Sequence, residues 1–262
     1  MRGKRSSSGL FALVLSLALS VPSLARVDQS AQAGKYDQEL QESVNKTLST
    51  NKEFKNVQAT VQNGVVTLNG SVNLLADREK LERKMHDKDH VQGIRDNVQV
   101  TGEQGQSVND AQLREKLADK LRYDRVGYGI TFDAINLGVQ NGVVTLSGSV
   151  LDEPSHASAL AIVENTPGVK QVVDNIQVQP PSPMDDELRI RLARAIYGDP
   201  ALQKYWMDPQ KPIRIVVNGG HVTLAGVVDN QMDKQIAEMR AKQVPNVFSV
   251  DDKLIVANQQ PR

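Results

Sequence analysis

The sequence predicts an α+β protein with three tandem small αββαβ domains, each a three-stranded sheet with two helices packed on one face. The first observation is the motif NGVVTLxGxV, which occurs at residues 63–72 and 141–150 and returns in altered form at residues 219–228. The second is the surrounding pattern of apolar residues, which repeats with the same spacing of 78 residues. A repeat of this length indicates duplication of one structural unit.

The first segment, residues 1–25, has the pattern of a cleaved signal peptide. A positively charged start precedes an apolar run at residues 10–21, which is shorter than the ~20 residues that a helix needs to cross a bilayer. Ser23 and Ala25 are small residues in the positions that precede a cleavage site, so cleavage is expected after Ala25. A second possible site follows Ala33. Because the chain has no cysteine, we predict an exported, soluble protein without a lipid anchor.

Two helices are predicted in every unit. The first has apolar residues at every fourth position, as on a helix with one buried face. These residues are Leu40, Val44 and Leu48, then Leu113, Leu117 and Leu121, then Leu188, Leu192 and Ile196. The second helix is predicted near residues 77–85, 155–165 and 233–243, with Asp77 and Asp233 as N-caps.

Between the helices, two runs with alternating apolar and polar residues predict a β-hairpin. The runs meet at dipeptides that tolerate the positive φ of a type I′ turn: Asn63-Gly64, Asn141-Gly142 and Gly219-Gly220. A glycine inside each second strand predicts a bulge or the close approach of a helix: Gly70, Gly148 and Gly226. A closing strand is predicted at residues 94–100, 172–178 and 250–256.

These elements divide the chain into domains at residues 36–102, 108–180 and 184–257. A glycine-containing linker at residues 101–107 precedes the second domain, and a stiff proline-rich linker at residues 180–183 precedes the third. Domains of this size have small cores of marginal stability. We therefore expect the units to pack on one another, on a partner or into oligomers.

Composition excludes several classes of function. Lys plus Arg and Asp plus Glu each total 31, so the chain lacks the positive charge of a nucleic-acid-binding protein. The absence of cysteine excludes disulfides, thiolate nucleophiles and cysteine-ligated metals. His86 and His90 are four residues apart but lack an HExxH motif, and a charged helix end explains them better than a metal site. We predict no catalytic residues, no metal and no cofactor.

The hairpin motif within a predicted αββαβ unit, behind a signal peptide, resembles the BON domain family. A later stretch also resembles it: Pro167-Gly168-Val169 and Val173-Asp174-Asn175-Ile176. The third copy departs from the pattern at Gly219 and Lys253, and is similar to a recognised variant of the domain. The resemblance implies a periplasmic, non-enzymatic protein that contacts anionic phospholipid surfaces or envelope proteins. The family includes osmotically inducible proteins, so a role in envelope integrity or osmotic-stress protection is also implied.

Candidate contact residues cluster in the third copy, which contains the single tryptophan of the chain. Aromatic residues beside cations suit membrane interfaces and protein hot spots. The candidates for binding lipid or a protein partner are Arg189, Arg191, Arg194, Tyr197, Tyr205, Trp206 and Met207. Two alternatives stay open: the aromatic residues complete the core of a small domain, or the three units form a protein-interaction scaffold without lipid binding.

Overall fold

The computed structural model describes residues 24–102, 109–123, 130–207 and 212–257. The predicted signal peptide, except for its last two residues, and most of the linker at residues 101–107 lie outside this part of the chain. No described helix is both long enough and apolar enough to span a membrane.

The first domain contains helix α1 (Leu24–Thr50), strands β1 (Val57–Gln62) and β2 (Val65–Val72), helix α2 (Leu75–His86) and strand β3 (Gly93–Val100). Strand β2 is central, with β1 antiparallel on one side and β3 parallel on the other. A parallel neighbour requires a crossover connection, and α2 provides it. The closing strand, predicted at residues 94–100, is confirmed within one residue.

The second domain repeats this arrangement. Its elements are α3 (Asp110–Tyr123), β4 (Ala134–Gln140), β5 (Val143–Val150), α4 (Glu153–Glu164) and β6 (Gln171–Val178). Strand β5 is central, antiparallel to β4 and parallel to β6. The α+β class, with a mixed sheet in each tandem unit, is confirmed.

The third domain has the same sheet and one additional helix. Its elements are α5 (Pro183–Tyr197), α6 (Gln203–Met207), β7 (Arg214–Asn218), β8 (His221–Val228), α7 (Gln231–Lys242) and β9 (Ser249–Val256). The sheet order is β7-β8-β9. Sequence reasoning predicted no helix at α6, which ends with Trp206 and Met207.

The hairpin turns have the predicted geometry. Both turn residues have positive φ in every copy: 52° and 71° at Asn63-Gly64, 54° and 77° at Asn141-Gly142, and 57° and 78° at Gly219-Gly220. A carboxylate of the first helix accepts hydrogen bonds from both backbone N–H groups of each turn. These carboxylates belong to Asp37 in the middle of α1 and to Asp110 and Asp185 in the first turns of α3 and α5, so the first helix of each domain is fixed to its own hairpin.

Glycine is required inside the second strands for a reason other than the predicted close approach of a helix. These glycines have φ values of +126° at Gly70, +112° at Gly148 and +124° at Gly226. A Cβ atom would lie 2.1, 2.0 and 2.7 Å from the backbone oxygens of the residues that lead into the neighbouring strand, which are Asn56, Ala134 and Pro212. The close neighbour is thus strand backbone, and no helix is involved.

The predicted N-caps of the second helices are wrong. Leu74 precedes α2 and makes no side-chain cap, whereas the Asn230 side chain caps α7 by accepting from the backbone N–H of Asp233. Asp77 and Asp233 lie one turn inside their helices, where a carboxylate still interacts favourably with the helix dipole.

The domains pack on one another, as expected from their size. Buried residues of the first and second domains form one continuous apolar cluster, which includes Met85 of α2 and Val163 of α4. The third domain has a separate core, and Phe132 of the second domain packs against it.

Candidate functional site

Arg189 is a buried structural residue. Its side chain is only 3% exposed. One guanidinium nitrogen donates to Gln179 Oε1 and to the carbonyl oxygen of Val217, at 2.5 and 2.8 Å, and the other pairs with Asp186. Gln179 in turn donates to the carbonyl oxygen of Phe132. Arg189 therefore ties the end of the second domain to the third, and its guanidinium is not available to a membrane surface.

Both candidate tyrosines are also buried. Tyr197 donates its hydroxyl to the carbonyl oxygen of Ile213, and burial raises its pKa. Tyr205 is 2% exposed and donates to Asp233 Oδ2 at 2.6 Å, while the backbone N–H of Asp229 donates to the Tyr205 hydroxyl. Burial, together with the Asp233 carboxylate, raises the pKa of Tyr205 to about 12. The alternative that the aromatic residues complete the core holds for these two residues.

Trp206 and Met207 differ from the tyrosines. Their side chains are 62% and 76% exposed at the end of α6. The Trp206 ring lies with its centroid 5.1 Å from that of Tyr197, so one side of the indole rests on the core while the rest faces solvent. The helix thus anchors through Tyr205 and presents the two following apolar side chains, which we call the α6 tip.

The lysine of the same helix is neutralised within the domain. Lys204 Nζ lies 2.7 Å from Asp229 Oδ2 and 2.8 Å from Asp233 Oδ2. Its hydrogen bonds to these carboxylates raise the pKa of Lys204. Lys204 therefore adds no uncompensated positive charge to the α6 tip.

The remaining candidate arginines lie on the helical layer. Arg191 is partly buried and Arg194 is exposed. Together with Arg240 of α7 they line a cleft of about 360 Å³ between α5 and α7. Arg194 is one helical turn before Tyr197, on which Trp206 rests. The structure thus keeps four of the seven candidates near solvent: Arg191, Arg194, Trp206 and Met207.

A second exposed apolar pair lies at the hairpin of the third domain. Phe248 and Met184 are each 74% exposed. The Phe248 ring sits so close to Gly220 that an added Cβ there would lie 2.7 Å from it. Met184 precedes Asp185, whose carboxylate holds the same turn. Sequence reasoning missed this pair.

Sequence reasoning also missed a cation–carboxylate pair that repeats in the three domains. The pairs are Arg78–Asp96 at 2.7 Å, His156–Asp174 at 2.6 Å and Lys234–Asp252 at 3.8 Å. Each joins the second helix to the closing strand. The 78-residue spacing of both partners was the available signal.

The middle pair contains a group that titrates near neutral pH. Burial disfavours the charged form of His156, but the hydrogen bond and negative charge of Asp174, with a smaller effect of Glu153, raise its pKa overall. The same carboxylate, Asp174, also accepts from the backbone N–H of Ile176. Among the described residues, no group of three potential ligands could hold a metal ion.

Fold and repeat define the chain as a tandem α+β repeat protein with a mixed three-stranded sheet in each unit. The BON domain model matches residues 36–102, 109–180 and 185–258. The chain therefore belongs to the BON domain family, whose members are generally non-catalytic.

Comparison with individual proteins adds two remote similarities. No curated protein matches the sequence. The chain is similar to the C-terminal domain of CdsD, a structural protein of the type III secretion system of Chlamydia trachomatis, at 13% identity and a TM-score of 0.25, covering 82% of this chain and 96% of that one. A second CdsD structure gives 13% identity and a TM-score of 0.24, covering 83% and 92%.

Proposed function

We propose that this protein is a non-enzymatic, periplasmic envelope protein that binds anionic phospholipid surfaces through the α6 tip. The observation that carries the proposal is the 62% and 76% exposure of Trp206 and Met207, next to two tyrosines that the domain buries. A tryptophan at a water-exposed helix end is suited to the headgroup region, where its ring and its N–H both find partners. The proposed biological role is support of envelope integrity or protection during osmotic stress.

Electrostatics predicts weak and salt-sensitive binding. Each basic residue near an anionic surface contributes about 1 kcal/mol, and screening weakens this attraction over a Debye length. Arg191 and Arg194 supply positive charge on α5, whereas Lys204 is paired. The apolar contact of the α6 tip is therefore expected to be needed in addition to charge.

Trp206 is the single tryptophan of the chain, so its fluorescence reports directly on the proposed site. Vesicles of phosphatidylglycerol mixed with phosphatidylcholine should shift its emission to the blue, and vesicles of phosphatidylcholine alone should not. Co-sedimentation with the mixed vesicles should decrease for Met207→Ala, and should be unchanged for Met232→Ala, a methionine of α7 with 64% exposure. Unchanged emission and no co-sedimentation at low salt would reject the proposal.

A second candidate function is a protein-interaction scaffold that forms oligomers or binds an envelope protein. The exposed Met184 and Phe248 side chains favour it, because both are apolar and each lies beside the hairpin turn of the third domain; we call these two side chains the patch. Sedimentation equilibrium of the wild-type chain and of Met184→Ser separates the two functions. Self-association that this substitution weakens, without any effect on vesicle binding, would assign the patch to protein contact.

A further inference from the structure

The cleft between α5 and α7 is lined by groups that attract an anion. The polar residues that line it are Arg191, Arg194, Arg240 and Gln243. Val244 and Pro245 contribute apolar wall, and none of the lining residues is a carboxylate. The cleft has a volume of about 360 Å³ and is open to solvent, so it suits a small group at the surface.

Only one of the three arginines is neutralised within the domain. Arg240 binds Asp199, with its Nε and one terminal nitrogen each 2.8 Å from the same carboxylate oxygen. Among the described residues, two buried side-chain donors have no hydrogen-bond partner, the Nε atoms of Arg189 and Arg191, and only Arg191 lines the cleft. The ion pairs in the described part of the chain include neither Arg191 nor Arg194. Two guanidinium groups therefore face the cleft uncompensated, and a buried donor without an acceptor is costly.

The other two domains show that the shared fold does not require this arrangement. Leu188, Leu113 and Leu40 are the first buried leucines of the three first helices, and matching them gives the equivalent positions along these helices. At the positions of Arg191, Arg194 and Arg240, the second domain has Lys116, Asp119 and Ile162, and the first has Ser43, Lys46 and Lys84. Three arginines around this cleft are therefore specific to the third domain.

We propose that the cleft binds a phosphate group. Guanidinium groups present paired N–H donors that match the spacing of phosphate oxygens, and such charge-assisted bonds are among the strongest in proteins. An entering oxyanion would accept from the guanidinium groups of Arg191 and Arg194, while Arg240 stays on Asp199. The phosphate could belong to a lipid headgroup or to a small soluble compound, and only the lipid source rests on the function proposed above.

Titration of the full chain with inorganic phosphate, followed by calorimetry in a chloride buffer, tests the site. The double variant Arg191→Gln with Arg194→Gln should weaken binding by about tenfold or more. The matched control replaces Lys46 and Lys116 by Gln, which removes the same charge from the corresponding helices of the other domains. Because Arg194 is exposed, Arg194→Gln alone should also weaken binding while the circular dichroism spectrum and the thermal midpoint stay unchanged.

Absence of phosphate binding by the wild-type chain would overturn the proposal, as would an equal loss in the lysine control. Competition then identifies the source, because the lost positive charge alone would weaken vesicle binding by the double arginine variant. A lipid headgroup in the cleft requires that inorganic phosphate displace the wild-type chain from phosphatidylglycerol vesicles more strongly than chloride does at equal ionic strength, and a soluble phosphate compound requires that the two salts act equally. Trp206→Ala should lose vesicle binding and keep inorganic phosphate binding. Failure of the α6 tip as a membrane contact is thus distinguishable from failure of the cleft.

Discussion

Each β-hairpin contains one residue whose backbone allows only glycine. At Gly70 the φ of +126° and the nearby oxygen of Asn56 act together, because the strand twists sharply where its partner strand begins. The same two conditions recur at Gly148 and Gly226. The sequence motif identified the position, but its cause depends on the register of two strands in space.

Gly70→Ala should destabilise the first domain by about 1–3 kcal/mol, because the added Cβ meets backbone and the residue stays at positive φ. Gly93→Ala is the matched control, since Gly93 lies in the same sheet with no atom within 4 Å of a built Cβ. Urea denaturation followed by circular dichroism measures both free energies of unfolding. Similar losses for the two variants would contradict this account of the motif.

Asp185 has a long-range structural role that the local sequence pattern does not reveal. Its carboxylate accepts from the N–H groups of Gly219 and Gly220, more than thirty residues further along the chain. Burial opposes its ionisation, but these two hydrogen bonds and that of Ser182 lower its pKa overall. In the sequence alone, Asp185 is one of several acidic residues at a helix start, where an interaction with the helix dipole is sufficient to explain it.

Asp185→Asn should therefore destabilise the third domain near neutral pH and have less effect in acid. A lowered pKa means that the stabilisation is present above the unfolded value of about 3.8 and is lost as the pH falls through the folded value. Thermal unfolding at pH 7 and at pH 3 measures this difference. A wild-type chain whose advantage over the variant is equal at both pH values would contradict the role of the ionised carboxylate.

Between elements, the repeated cation–carboxylate pair fastens the second helix to the closing strand in each domain. The side chain from the helix is arginine, histidine and lysine in chain order, at Arg78, His156 and Lys234. The middle domain alone uses a group whose charge changes near neutral pH. The helix–strand contact of the second domain thus contains a cation whose charge depends on pH in the range of histidine titration, whereas the other two copies have arginine and lysine there.

His156→Arg should remove a pH dependence from the stability of the second domain. A raised pKa means that the stabilisation is fully present below the unfolded value of about 6.5 and is lost as the pH rises through the folded value. The wild type should therefore unfold more easily at pH 8 than at pH 6, and the variant, which copies the first domain, should lose this difference. The control His221→Arg keeps His156, so its unfolding should retain the wild-type dependence on pH.

In the whole molecule, the three copies of the fold are built around two separate apolar cores. The first and second domains share an apolar cluster, and the third has its own. Arg189 bridges the junction between the second and third domains through Gln179. We therefore expect two unfolding transitions, one for the first two domains together and one for the third.

Gln179→Ala should lower the midpoint of the transition of the third domain, because it leaves a buried guanidinium group without one of its acceptors, at a cost of about 1–3 kcal/mol. Gln177→Ala is the matched control, since Gln177 is exposed two residues earlier on β6. Scanning calorimetry resolves the two transitions. A single transition that Gly70→Ala and Gln179→Ala shift equally would contradict the division into two cores.

The sequence by itself determined the three units, their αββαβ order, the hairpin turns and the limits of the three closing strands within one residue. Apolar periodicity and turn chemistry are local, so they can be read without coordinates. The tertiary structure decided which residues of one basic-aromatic stretch are structural and which are accessible. Tyr197, Tyr205 and Arg189 point into the domain and Trp206 points out, since burial depends on what packs against each side chain from distant parts of the chain.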